Sequence, residues 1–177
     1  MRRAASSVTL LSLLLSASPA LAKFGRPEAA PPAEESARVD LLPSPNLTPR
    51  QVVEVQLGGL GANTEWGDNR GIQLAYNFAS PENQAMTGPF SRFAAMVTQG
   101  YGSLLDHRDA DIGPIQVRGG EAYLPVIVTD GQGQQHGFVW VLRRQTRGRF
   151  ADCWMTDAVF RAPLAAARSD EAQLDHI

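Results

Sequence analysis

The sequence has little of what disulfide and metal chemistry need. Cys153 is the one cysteine in 177 residues, so neither an internal disulfide framework nor a cysteine-based zinc cluster can form. The three histidines, His107, His136 and His176, stand at no ligand spacing. Lysine is nearly absent: Lys23 is the single one, and the other basic residues are arginine. Charged residues make up 19% of the chain and the formal net charge is −2, which leaves no broad basic surface for nucleic acid. No Gly-x-Ser-x-Gly nucleophile elbow is present. Gly58-Gly59-Leu60-Gly61 lacks the Lys-Ser/Thr ending of a phosphate loop and follows a helical pattern rather than a strand. Beyond residue 22 no apolar run is long enough to span a bilayer, so no stable membrane anchor is expected. What remains, 44% hydrophobic residues, fits a globular domain and not a fully disordered chain.

The first 22 residues have the three parts of a secretory signal in order. Arg2 and Arg3 give the charged start, Val8 to Ala17 the short apolar stretch, and Ala20-Leu21-Ala22 the small-residue cleavage site. The mature chain is expected to begin at Lys23 and to be periplasmic or secreted. Cleavage there removes two arginines and no acid, which takes the net charge from −2 to −4. Residues 23–47 hold five prolines and few large apolar side chains, the composition of a disordered linker. One domain is expected over 48–160, and residues 161–177 are read as a flexible polar tail.

Within the domain the first half has helical period. Thr48-Pro49-Arg50-Gln51 is a capping box with proline at the first helical position. Val53, Leu57 and Leu60 follow on one face, and Gly58, Gly59 and Gly61 weaken and end the helix. Asp68 or Asn69 is placed to cap a second helix carrying Ile72, Ala75, Tyr76 and Ala79. Ser80-Pro81 starts a short turn, and Gly88-Pro89 a further helix with Phe90, Phe93, Ala94 and Val97 on one side. Met96 is expected at its edge.

The second half alternates. Ile112, Ile115 and Val117 suggest a strand broken at Gly113-Pro114, Glu121 to Thr129 a second, His136 to Arg144 a third and Ala151 to Phe160 a fourth. A three-residue loop from Gly131 to Gly133 sets Ala122, Leu124, Val126 and Val128 against Leu142, Trp140, Phe138 and His136 on one apolar face. Pro125 predicts an edge or a bulge in its strand. The opposite face, with Tyr123, Ile127, Val139 and Val141, is also apolar, which calls for a second cover. Helices first and a curved antiparallel meander last make an α+β fold.

Several runs carry a resemblance. Leu47-Thr48-Pro49-Arg50, Phe78-Ala79-Ser80-Pro81-Glu82-Asn83, Thr87-Gly88-Pro89 with Phe93 and Met96, His107-Arg108, Phe138 to Leu142 and Cys153-Trp154-Met155-Thr156-Asp157 resemble a small bacterial domain family of unknown function. That resemblance implies no particular activity. The element order is also similar to the cone-shaped superfold of nuclear transport factor 2, ketosteroid isomerase and the SnoaL-like cyclases, which implies helices closing the mouth of a curved sheet over a cavity.

Candidate chemistry is sparse. Asp157 in the last strand is the first candidate: facing inward near Phe138 and Trp140, it would be a pocket carboxyl whose burial favours the protonated form. His136 is the second, as a base near neutral pH. Each has a plain alternative, an Asp bonded to backbone or cation and a His satisfied at a sheet end. Cys153 is expected to be a buried, inert thiol, and Arg143, Arg144, Arg147 and Arg149 a partly paired sheet end with Asp152 opposite. Tyr76, Phe78, Phe138 and Trp140 are the candidate lining of an apolar pocket. The leading functional reading is a noncatalytic ligand-binding or interaction domain of the cell envelope that takes a small apolar ligand and no cofactor. Its rival is a cofactor-independent isomerase, dehydratase or cyclase using Asp157 and His136, and a third reading is a homodimer paired through the sheet. Convergence of Asp157, His136 and a tyrosine in one cavity is what separates the enzyme from the binding domain.

Overall fold

A computed structural model describes residues 41–168. The signal and the linker up to residue 40 lie outside the described residues, as do the last nine. Helix α1 (Pro49–Gly61) opens on the expected capping box: Thr48 Oγ1 accepts from Gln51 N at 3.3 Å, and Gln51 Oε1 accepts from Thr48 N at 2.9 Å. It buries Val52, Val53, Leu57 and Leu60, and with them the polar Gln56. One turn, α2 (Asn63–Trp66), leads to α3 (Arg70–Asn77), which packs across α1. The crossing is close enough to exclude side chains: a Cβ on Gly71 would lie 2.0 Å from Gly59 O. A glycine inside a helix costs about 1 kcal/mol against alanine, and the close approach of two backbones is its return here.

Asn69 does precede α3, but in left-handed conformation (φ 58°) and without a side-chain cap, and Asp68 is left-handed too. Ser80 caps α4 (Pro81–Thr87) through Asn83 N at 3.1 Å, and α5 (Phe90–Gly100) buries Phe93, Ala94 and Val97 as the spacing predicts. Ala79 lies past the end of α3, and Tyr76 is only half-buried.

The sheet has five antiparallel strands and is open, not closed into a barrel. Strands β1 (Asp109–Ile112) and β2 (Gln116–Arg118) are two halves of one broken edge, both paired with β3 (Glu121–Thr129). Next comes β4 (Gln135–Arg144), then β5 (Trp154–Ala162). The β3–β4 register is the expected one, Leu124 opposite Trp140 and Val126 opposite Phe138. Gly133, at φ 86°, supplies the left-handed residue that a three-residue hairpin loop requires.

Pro125 is neither on an edge strand nor in a bulge, which corrects the sequence reading. It lies opposite the gap between β1 and β2, where its carbonyl accepts from Gly113 N at 2.8 Å. N–H and C=O of a strand residue point to the same side, so its missing donor faces the gap and the β4 ladder loses nothing.

Two boundaries also move. The last strand starts at Trp154 rather than Ala151, because Asp152 turns the chain in left-handed conformation (φ 65°) and its N–H bonds Gln145 O. It ends at Ala162, and residues expected in the tail form α6 (Leu164–Arg168), which lies against β3 and β4 with Ala167 buried. The chain's own C-terminal helix thus covers part of the second apolar face. The main core, with Trp140, Phe138, Phe78, Ile72 and Leu124, sits between the helices and the other face.

Candidate functional site

Between the helices and the β4–β5 face lies a cleft of about 190 Å³, small against the usual range for drug-sized ligands. Leu60, Phe93, Val97 and Leu104 form apolar wall, Trp140 and Val159 the sheet side, and Met86 and Met96 the lips. Met86 is 68% exposed and Met96 38%, so the lips are apolar and wet.

The floor is a buried hydrogen-bonded chain. Trp140 Nε1 donates to Gln56 Oε1 at 3.0 Å, and Gln56 Nε2 donates to Thr156 Oγ1 at 2.7 Å. Gln56 is 3% and Trp140 1% exposed, so these polar atoms have no access to water and must satisfy one another. The backbone of Thr156 is engaged as well. Its N–H donates to Phe78 O and its carbonyl accepts from Ser80 N, both at 2.8 Å, and from Asn83 Nδ2 at 3.1 Å. Residues 78–83 therefore dock on 155–157 as a short parallel bridge at Ala79 and Thr156. The Phe78–Asn83 and Cys153–Asp157 runs thus meet in space, at the cleft.

Asp157 owes its position to a β-bulge. Val141 pairs with Ala158 and Leu142 with Thr156, so Asp157 is the extra residue of β5. Bulges re-aim side chains in this way. Asp157 borders the cleft, its side chain is 15% exposed, and its Oδ2 forms an ion pair with Arg143 Nε at 3.0 Å. Arg143 also reaches Glu121 at 3.1 Å and Glu82 of α4 at 3.5 Å. Asp157 is thus ion-paired at the rim and not an isolated carboxyl among apolar groups.

His136 lies elsewhere. Its Nε2 donates to Asp130 Oδ2 at 2.7 Å, while Asp130 Oδ1 accepts from Gln132 N and Gln134 N, both at 2.9 Å. The hydrogen bond from His136 first, and those two backbone donors with it, hold the Asp130 carboxyl below its ordinary value against the opposing effect of burial. His136 and Asp157 are separated by five or six positions along β4, roughly 16–20 Å at strand rise. The structure does not bring the proposed acid and base together.

Of the four expected lining residues, only Trp140 faces the cleft. Tyr76 packs behind it on Phe90 and Phe93, ring centroids 5.7 and 5.0 Å away. Phe78 and Phe138 are fully buried core, Phe138 edge-on to Trp140 at 6.0 Å. Cys153 is buried, and desolvation with the nearby negative Asp152 pushes its thiol up, away from reactivity. His107 Nδ1 donates to Leu104 O at 2.8 Å. Arg144 pairs with Asp152 at 3.2 Å, as expected of that sheet end. Gln56 was the missed residue. A polar side chain on the Val53–Leu60 stripe is the signal that it serves a buried partner.

Among the described residues no group of three His, Cys, Asp or Glu side chains could hold a metal ion, and no helix is long and apolar enough to cross a membrane.

A family described as a domain of unknown function, DUF4864, matches residues 46–170, and the chain belongs to it. No curated protein and no solved structure matches the chain. The weaker likeness to the nuclear transport factor 2 superfold accordingly finds no support beyond element order.

Proposed function

We infer that this is an exported, noncatalytic binding domain of the cell envelope, whose cleft between α4, α5 and the β4–β5 face receives a small apolar ligand. The observation that carries the reading is the pair of exposed methionines, Met86 and Met96, at the mouth of a cleft walled by Leu60, Phe93 and Val97. Methionine adapts to varied apolar shapes, which suits a binding lip better than a structural surface. The polar floor supports binding rather than catalysis, because Gln56, Trp140 and Thr156 are occupied with one another. Export is supported by the signal-like residues 1–22 and the cleavage site before Lys23.

Native mass spectrometry of the full chain from its host envelope tests both parts. The expected species starts at Lys23 and carries a small molecule that denaturation releases. The Met86→Gln/Met96→Gln variant is expected to fold as before and to carry less of it. A chain retaining Met1 overturns the export reading. Equal loading of both proteins, or no bound molecule together with no methionine methyl shift on titration with hexanol, overturns the binding reading.

A further inference from the structure

The hydrogen-bonded floor of the cleft has a direction, and the indole sets it. An indole N–H donates and cannot accept. Trp140 Nε1 therefore turns the Gln56 amide so that Oε1 faces it, which leaves Nε2 to donate to Thr156 Oγ1. Having received that bond, Thr156 Oγ1 must offer its own hydrogen elsewhere. Among the described residues none accepts it, and none accepts the second hydrogen of Gln56 Nε2. The chain is closed at its Trp140 end and open at its Thr156 end. Thr156 is 4% and Gln56 3% exposed, and both border the cleft. The other two hydroxyls on the wall are spent inside the protein: Tyr101 donates to Val159 O at 3.0 Å and Thr87 to Asn83 O at 2.8 Å. A buried donor without an acceptor is costly, so this wall is made to meet an acceptor.

Resting on the reading of the cleft as a site for a small apolar ligand, we propose that this ligand carries a neutral carbonyl oxygen, as a ketone or an ester does, and that Thr156 Oγ1 donates to it. The hydrocarbon remainder lies toward Phe93, Met86 and Met96. The donor atoms of Thr156 and Gln56 are 2.7 Å apart, so one carbonyl oxygen, with two lone pairs, is within reach of both. A carboxylate is disfavoured, because the wall holds no lysine, arginine or histidine to offset its charge. An amine is disfavoured because it sets a donor against a donor.

The test uses two probes of one shape: methyl propyl ketone, and the alkene in which a methylene group replaces its carbonyl oxygen. Each is titrated into the full chain. The methyl resonances of Met86 and Met96 report binding, and the fully buried Met155, which does not line the cleft, is the internal control. Thr156→Val keeps the shape and removes the hydroxyl. It is expected to weaken ketone binding about tenfold and to leave the alkene as tightly bound as before. Thr156→Ser keeps the hydroxyl and should keep the preference for ketone. In the wild-type protein, which needs no variant to fold, the carbonyl-carbon resonance of the bound ketone should lie downfield of its position in hexane, as hydrogen bonding requires. A like loss of both probes on Thr156→Val, an unchanged ketone affinity, or a bound carbonyl resonance at its hexane position overturns the carbonyl proposal and leaves the cleft reading standing. If neither probe shifts Met86 or Met96, the cleft reading itself falls.

Discussion

Gln56→Leu should be among the most damaging conservative changes in this protein, and the damage is calculable from two hydrogen bonds. Leucine keeps the volume and the helix propensity of α1, so the change is confined to polar satisfaction. It strips Trp140 Nε1 of its acceptor and Thr156 Oγ1 of its donor, both in a region closed to water. A buried group left without a partner costs about 1–3 kcal/mol. The indole N–H is fixed in the ring plane, whereas the threonine hydroxyl can rotate, so the sum should come to about 2–4 kcal/mol. For a domain of this size that lowers the melting midpoint by roughly 10 °C. Urea denaturation should show a lower midpoint with an unchanged slope, since the exposed area on unfolding hardly differs. The reasoning predicts more than a loss. Trp140→Phe removes the donor, and the double variant Gln56→Leu/Trp140→Phe removes both partners of that bond. The double variant should be more stable than the sum of the single changes implies, by about 1–2 kcal/mol. Additivity within about 0.3 kcal/mol, or a neutral Gln56→Leu, would refute the claim that these bonds form the floor of the cleft.

Three further outcomes follow from the same structure. Gly71→Ala places a Cβ 2.0 Å from Gly59 O, so the α1–α3 crossing must spread at a cost of about 1–3 kcal/mol; circular-dichroism melts check it, and an unchanged midpoint would mean the helices do not cross there. Asp130 has a folded pKa depressed mainly by the hydrogen bond from His136, so its contribution is present above the unfolded carboxyl value near 4 and is lost as pH falls through the lower folded value. Asp130→Asn should therefore destabilise at neutral pH, with a penalty that shrinks on acidification, and urea melts at several pH values should show the two curves converging. Ending the chain at Ala162 removes α6 and its buried Ala167, which should cost about 1 kcal/mol of apolar burial and leave the domain folded; failure of that truncation to fold would make the helix part of the core.

The β3–β4 hairpin was legible because three independent signals agree there. Apolar residues alternate on both strands, Gly133 provides the left-handed turn, and the three-residue loop sets Leu124 opposite Trp140 on the apolar face. The caps Thr48 and Ser80 were legible for a similar reason: each sits before a proline with a polar residue three positions on. Gly59 marked a helix weakness but not its purpose, since the helix it meets begins only at Arg70. His136 could be assigned to a sheet end, but its bond to Asp130 needed the hairpin to be closed first.

Asp157 shows why the site was less legible than the fold. Strand side chains alternate, so a reading outward from Val159, which lies opposite Trp140, sends residues 157 and 155 to the inner face with it. The extra residue in β5 breaks that parity. Thr156 takes the inner position opposite Leu142, where its hydroxyl meets Gln56 and its backbone receives residues 78–83. Asp157 is released from the ladder to the rim, beside Arg143. One inserted residue thus converts a would-be buried acid into a paired, partly exposed carboxylate and makes a buried threonine the anchor of residues 78–83. No local propensity encodes that shift, because it is set by what packs on both sides of β5: Gln56 from α1, Asn83 from α4 and Arg143 from β4. Deleting Asp157 should therefore straighten β5 without turning any other side chain, because Ala158 stays opposite Val141 and Thr156 opposite Leu142; the expected loss is confined to the ion pair with Arg143 and the local bend, and a collapse of the fold in urea melts would refute the bulge as the device that places Asp157.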